Sequence, residues 1–254
     1  MILRRLVTQL REHDWTAVAI EFVIVVLGVF VGIQVSNWNE GRIERAQERL
    51  YLLRLHEDFE ASIAGLTRDN DFLAQQLSDQ AIILAALDAC AVPPADDKSL
   101  QRGMNTLGYI NAPRFFRRTI DELAAAGRTD VIQNETIKDR LADIVAMVEW
   151  RGNGYDSTAR TVEHYRYIVE EQIRYDFSRS WEGKFIRQVT AVDYDIQKLC
   201  HDPSIASAVS AISFATQERL NAYAPVLDRY RAFLPLLEEE LRSRWGLDVS
   251  SGED

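Results

Sequence analysis

The sequence predicts an all-α protein, with one N-terminal transmembrane helix followed by an elongated antiparallel helical bundle. Three observations predict this class. Residues 17–35 form a nearly unbroken apolar run, AVAIEFVIVVLGVFVGIQV. From residue 52 onward, apolar side chains recur at helical spacings, which is typical of helices with one buried face. No segment alternates apolar and polar residues over a length that favours a strand.

The apolar run predicts a transmembrane helix over residues 15–38. At about 1.5 Å per residue, its roughly 19 residues span about 28 Å, close to the ~30 Å hydrocarbon core of a bilayer. Trp15 and Trp38 flank the run, and we expect both to be interfacial anchors. The run is longer than the apolar region of a secretory signal, and no A-x-A-like cleavage site follows it. We therefore expect the anchor to be retained.

The segment before the anchor, residues 1–14, favours an N-terminus on the cytoplasmic side. Its apolar residues follow helical spacing, and Arg4, Arg5 and Arg11 occupy other positions. A basic amphipathic helix of this kind suits an anionic cytoplasmic leaflet. Arginines beyond the anchor nearly balance those before it. The amphipathic pattern therefore decides the predicted orientation, with the large domain outside.

A stripe of residues within the anchor predicts a contact with another membrane helix. It comprises Glu21, Gly28, Gly32 and Ser36. Small residues at G-x-x-x-G spacing let two helices approach closely, and a carboxylate in the membrane is costly unless it is paired or near the head groups. The alternative is that Glu21 simply reaches the interface. The expected partners are the lipid bilayer and either a membrane protein or a second copy of the chain.

Residues 39–90 predict a long stalk-like helix. Asp69-Asn70-Asp71 interrupts its apolar stripe, which predicts a kink or a break. The sequence CAVPPADD at 90–97 predicts a loop. Residues 91–246 then predict a helical bundle domain that packs with the stalk, and residues 247–254 a disordered tail.

The bundle divides into several predicted helices. They cover residues 99–107, 118–126, 135–150, and a segment that ends near residue 175. Gly127 is expected to close the second of these. The last helix starts at Asp202-Pro203, an N-cap followed by a proline at the first helical position. Pro225 and Pro235 predict that this helix kinks or splits.

Composition and charge exclude one class of partner. The formal net charge is −10, and an acidic domain repels DNA and RNA, so we expect no nucleic-acid binding. Cys90 and Cys200 leave two interpretations open. They either pair in an oxidising compartment, closing a loop of about 110 residues, or lie apart as two small buried side chains.

The usual catalytic motifs do not occur in the sequence. There is no H-E-x-x-H, G-x-S-x-G, phosphate-binding G-x-x-x-x-G-K or C-x-x-C. His56 and Glu60, at i and i+4, either hold a metal or form a solvated pair, the commoner case. We predict no enzyme activity, catalytic residue, cofactor or metal. A membrane-tethered hydrolase with an unfamiliar site remains a minor alternative.

One basic and aromatic patch stands out on the acidic chain. It comprises Arg114, Phe115, Phe116, Arg117 and Arg118. Arginine and aromatic side chains together can grip an anionic ligand, a lipid head group or a partner. The alternative is two core phenylalanines whose neighbouring arginines extend to water.

Two blocks of the sequence resemble an uncharacterised bacterial family of single-pass membrane proteins with a domain of unknown function. The first is EFVIVVLG at 21–28 with GIQVSNWNE at 32–40, similar to the pattern E-x-x-L-V-V-x-G…Q-x-N-N-W-N-E. The second is TIDEL at 119–123, then Gly127, IQN at 132–134 and Leu141. This chain departs by carrying Ser36 in place of asparagine and a valine-rich span. The resemblance implies a bacterial inner-membrane location and a helical domain in the periplasm, and it implies no activity.

These features together predict a membrane-anchored, non-enzymatic interaction or accessory subunit with a periplasmic helical domain. The alternative is a helical bundle that senses a periplasmic ligand and signals through a membrane partner.

Overall fold

The structure is a computed structural model that describes residues 15–110, 115–153 and 155–249, without the side chains of residues 15–18, 152–153 and 156–157. The predicted segment 1–14, the Trp15 side chain, Arg114 and residues 250–254 of the predicted tail lie outside the described residues. The all-α class is confirmed. In chain order the elements are α1 (Trp15–Ala89), α2 (Asp97–Thr106), α3 (Arg118–Ala125), a 3₁₀ turn (Thr129–Val131), α4 (Glu135–Asn153), α5 (Tyr155–Glu170), β1 (Arg174–Trp181), β2 (Val189–Asp193), α6 (Ile196–Cys200) and α7 (Pro203–Trp245).

The chain divides into two compact units, residues 1–51 and 52–254, and α1 contributes to both. In the first unit, one stretch of α1 is long and apolar enough to cross a membrane, with a mean hydropathy of 2.3. The large apolar side chains between Ile20 and Trp38 are 48–68% exposed. Such a surface is unfavourable in water and suits the hydrocarbon of a bilayer.

In the second unit, α1 is a core helix. Leu52, Leu55 and Leu66 are fully buried on its inner face, and the Phe59 ring packs against Tyr230 and Phe233 of α7 at centroid distances of 4.8 and 4.7 Å. The break predicted at residues 69–71 does not occur, because the buried face continues through this segment to Leu73. Tertiary packing here overrides the local polar sequence.

The last helix begins as predicted. Asp202 is its N-cap and accepts a hydrogen bond from the Ser204 backbone N–H (2.9 Å), with Pro203 at the start of the helix. Of the two predicted outcomes the split does not occur, since α7 runs unbroken for 43 residues through Pro225 and Pro235, and the kink stays a prediction. A proline inside a helix costs about 3 kcal/mol. That cost is offset by apolar side chains buried around the two prolines: Tyr223, Val226, Leu227, Tyr230, Phe233 and Leu237.

A disulfide links the end of α1 to the end of α6. Cys90 directly follows α1, Cys200 is the last residue of α6, and their Cα atoms are 5.4 Å apart. Nearby buried apolar side chains, including Leu87, Leu199 and Ile205, belong to one core cluster. The disulfide therefore closes a covalent loop next to this part of the core.

A β-hairpin that the sequence analysis did not predict lies between α5 and α6. Its antiparallel strands pair from Arg174 with Asp193 to Trp181 with Val189. The outer edge of β2 bonds to side chains of α2: Asn105 bonds both the N–H and the C=O of Thr190, and the Gln101 Oε1 accepts from the Val192 N–H at 3.2 Å. The side-chain amides of Gln101 and Asn105, at i and i+4 of α2, thus form the hydrogen bonds that a third strand would form along this edge.

Candidate functional site

The basic and aromatic patch of residues 114–118 is used within the domain. Arg117 bonds the carboxylates of Asp121 and Glu149, each at 3.2 Å. Phe115 is partly buried with its ring 6.4 Å from that of Tyr230, whereas Phe116 is exposed. Arg118 is exposed and lies 3.7 Å from Asp58. This arrangement is closer to the packing alternative than to an open anion site.

The backbone beside this patch is held by two buried side chains of α1. The Asp58 Oδ2 accepts a hydrogen bond from the Thr119 N–H at 2.8 Å, within the first turn of α3. The Ser62 hydroxyl accepts from the Phe116 N–H at 3.0 Å and donates to the Asp58 carbonyl. Because Asp58 satisfies an orphan N–H and faces the positive end of α3, it acts as a cap supplied by another helix.

Gly127 and Asn134, two residues of the second block that resembles the bacterial family, hold the ends of helices in place. Gly127 closes α3 in the left-handed conformation (φ 60°), and the following N–H bonds the Leu123 carbonyl. Asn134 precedes α4, where its Oδ1 accepts from the Ile137 N–H at 3.3 Å and its Nδ2 donates to Glu240 of α7 at 2.6 Å. This block positions α3 and α4.

A bulge in β1 presents one aromatic side chain to solvent. The backbone pairing jumps from Asp176–Ala191 to Ser180–Thr190, so residues 177–179 have no backbone pairing partner on β2. At the tip, Phe177 is 83% exposed, and among the described residues no strand pairs with the outer edge of β1. Its ring lies 6.5 Å from that of Tyr175. A large exposed apolar side chain on an open strand edge is a suitable anchor for a partner.

Hydrogen bonds fix the conformation of this bulge. The Asp176 carboxylate accepts from the backbone N–H and the hydroxyl of Ser178 (3.0 and 2.6 Å) and from the Arg179 guanidinium (2.5 Å). Arg179 also donates to Asp193 across the hairpin at 2.6 Å. The bonds from Ser178 and Arg179 lower the pKa of Asp176 to about 2. Phe177 is therefore presented from an ordered frame.

A cavity of about 240 Å³ with charged and aromatic lining residues lies between α1, α2 and the loop of the hairpin. On one side, buried Asp79 of α1 forms two bonds with Arg102 of α2, at 2.7 and 2.6 Å. The hydrogen bond to Asp79 raises the pKa of Arg102. The hairpin loop closes the other side with Trp181, Lys184 and other residues of the turn. This cavity was not predictable from the sequence, because its walls come from residues 72–79, 98–106 and 181–186, which share no motif.

The stripe in the apolar stretch of α1 lies on an open helix surface. A Cβ placed on Gly28 or Gly32 would meet nothing within 4 Å. Ser36 donates its hydroxyl hydrogen to Glu40 one turn later, at 3.2 Å. Trp38, the predicted interfacial anchor, is exposed, with the Arg42 guanidinium 5.9 Å from its ring centroid.

The His56 side chain is buried and not solvated. It is 3% exposed, and its two ring nitrogens face Glu60 (3.4 Å) and Glu238 of α7 (3.5 Å). The expected solvated pair is therefore wrong, because α7 covers this face of α1. Glu238 is too distant in sequence for the helical spacing to reveal it.

The ligand-type atoms of Cys90, Cys200 and His201 lie within 4.8 Å of one another. Because the two sulfurs are bonded to each other, they do not offer thiolates to an ion. The His201 Nδ1 lies 2.7 Å from the Gln197 carbonyl and 3.3 Å from the Cys200 sulfur. This imidazole therefore packs against the disulfide at the start of α7.

Comparisons with protein-family models, with curated proteins and with solved structures find no match to this chain. The function is therefore inferred from the geometry of the described residues.

Proposed function

We propose that this chain is a membrane-anchored, non-enzymatic interaction or accessory subunit of the bacterial inner membrane. Its N-terminus lies in the cytoplasm and its helical domain in the periplasm. The observation that carries the proposal is Phe177, held at 83% exposure on an ordered bulge beside an open strand edge. An exposed aromatic in a fixed conformation loses little conformational entropy on binding, which is typical of interface anchors.

Two features support the location. The apolar stretch of α1 is suited to a single membrane span. The disulfide between Cys90 and Cys200 favours an oxidising compartment, because cytosolic thiols are kept reduced. The periplasm meets this condition.

The membrane helix supports a second contact with the same partner. Gly28 and Gly32 leave a groove on α1 into which another helix can pack closely, and Glu21 lies on the same stripe. We propose that the partner is a membrane protein that contacts this stripe within the bilayer and Phe177 outside it. A second copy of the chain is the alternative occupant.

The test is purification of the tagged full chain from its native membrane in mild detergent, after photo-crosslinking from p-benzoylphenylalanine placed at position 177. A matched control carries the same photo-crosslinker at Phe214, which is also exposed but lies on α7. We expect one protein to crosslink from position 177 and not from position 214, and Phe177→Ala to reduce its recovery. Recovery of free monomer alone, with no crosslink at position 177, would contradict the proposal.

Ligand sensing is the second candidate function, and the cavity between α1, α2 and the hairpin favours it. A small molecule bound there would contact three separate segments, so binding would change how they pack. The signal would then pass to the membrane partner.

A further inference from the structure

The cavity between α1, α2 and the hairpin loop is lined by charged groups of both signs. Asp79 and Arg102 neutralise each other through their two hydrogen bonds. The remaining charged groups are the ammoniums of Lys98 and Lys184 and the carboxylate of Glu182. None of these three forms an ion pair within the part of the chain that the structure describes. A ligand that carries both an anionic and a cationic group would match them.

Aromatic side chains form the apolar wall of the cavity. Phe72 of α1 packs against Phe185 of the hairpin loop with ring centroids 5.7 Å apart, and Trp181 lies beside them. The Lys184 ammonium is 4.8 Å from the Phe185 ring centroid, which holds this cation next to the wall. Such a surface takes an aliphatic or aromatic group.

The size of the cavity limits the ligand. Its volume of about 240 Å³ is below the roughly 300–1,000 Å³ typical of sites for drug-sized molecules. We propose that this cavity binds a free α-amino acid with an apolar side chain. Its carboxylate pairs with Lys98 and Lys184, its ammonium pairs with Glu182, and its side chain contacts Phe72, Trp181 and Phe185. The inference rests on the sensing function and names its ligand class.

The first test uses three probes of nearly equal shape and the purified full chain in detergent. L-leucine carries both charged groups, 4-methylpentanoate lacks the amine, and 3-methylbutylamine lacks the carboxylate. By isothermal titration calorimetry, we expect L-leucine to bind and each of the other two to bind at least about tenfold more weakly, because each loses a charge-assisted contact. Equal affinity for all three, or no binding of L-leucine, would overturn the inference.

The second test places the binding in this cavity. Lys98→Gln and Lys184→Gln change exposed side chains, so we expect folding to be retained and L-leucine to bind about tenfold more weakly to each. Lys198→Gln, an exposed lysine on α6, is the matched control and should bind as the wild type does. Binding in this cavity would be refuted if Lys198→Gln weakened the binding of L-leucine to the same extent.

Failure of the amino-acid inference is distinguishable from failure of ligand sensing. A thermal-shift screen of dicarboxylates, sugars and polyamines on the same full chain separates the two. Stabilisation by one of these classes, without binding of L-leucine, would refute the ligand class and leave sensing in place. A flat response to every compound would refute both.

Discussion

The disulfide between Cys90 and Cys200 gives a quantitative test of how the domain is held together. The perturbation is the double substitution Cys90→Ser and Cys200→Ser, which removes the bond. The two Cα atoms are 5.4 Å apart, and serine is close to cysteine in size. The folded state therefore loses the covalent link with little change in packing.

The magnitude follows from the length of chain that the bond closes. The cysteines are 110 residues apart. In the chain-entropy model, a loop of this length removes about 16 cal/mol/K from the unfolded chain, or about 4.8 kcal/mol at 25 °C. The variant should therefore have a lower free energy of unfolding by about this amount. With a urea slope of about 3 kcal/mol/M, the midpoint should fall by about 1.6 M.

The assay is urea unfolding of the full chain in non-ionic detergent, followed by near-UV circular dichroism. Wild type treated with a dithiol reductant is the control, and it should unfold at the same urea concentration as the double variant. The reasoning is refuted if the oxidised wild type unfolds at the midpoint of the variant. It is also refuted if reductant shifts the midpoint of the variant, which has no disulfide to lose.

Three further predictions concern the second unit. Phe59→Ala should lower the free energy of unfolding by about 3–5 kcal/mol, because it leaves a cavity between two aromatic rings. In the same urea assay, the exposed control Phe214→Ala should change the free energy of unfolding by less than about 0.5 kcal/mol. Asn105→Ala should lower it by about 1–2 kcal/mol and speed amide exchange in β2, because it removes both bonds to Thr190; unchanged exchange would contradict this role. The Asp176 carboxyl should titrate near pH 2 by NMR. Because its pKa is lowered in the folded state, its contribution to stability is complete above the ordinary pKa of about 3.8 and is lost as the pH falls through about 2. A titration at its ordinary value would show that the bulge network does not form in solution.

The helices were predictable where their cause is local. Asp202-Pro203 starts α7 because the side-chain cap and the proline act within one turn, and Gly127 follows α3 because it adopts the left-handed conformation there. The helices do not break at residues 69–71 or at Pro225 and Pro235, because the local cost is smaller than the stabilisation from the burial around these positions. Leu66 and Leu73 carry the buried face of α1 across residues 69–71, and packing of α7 retains both of its prolines in one helix.

The hairpin and the cavity were not predictable from local pattern. β1 is mostly exposed and irregular at residues 177–179, and β2 is only five residues long. The second strand is stabilised by Gln101 and Asn105, which lie about 90 residues earlier in the chain. Because Asp79 pairs with Arg102 across two helices, this part of the cavity wall likewise exists only after tertiary folding.

The proposed orientation of the chain in the membrane and its disulfide depend on each other. If the second unit faced the cytoplasm, glutathione and thioredoxin would keep Cys90 and Cys200 as thiols, and the loop of 110 residues would lose its closure. The positive charges on either side of the anchor are too evenly balanced to decide between the two orientations. An oxidised Cys90–Cys200 pair in native membranes therefore discriminates where the charge pattern does not. It also favours partners and ligands that occur in the periplasm, since Phe177 and the cavity belong to the same unit as the disulfide.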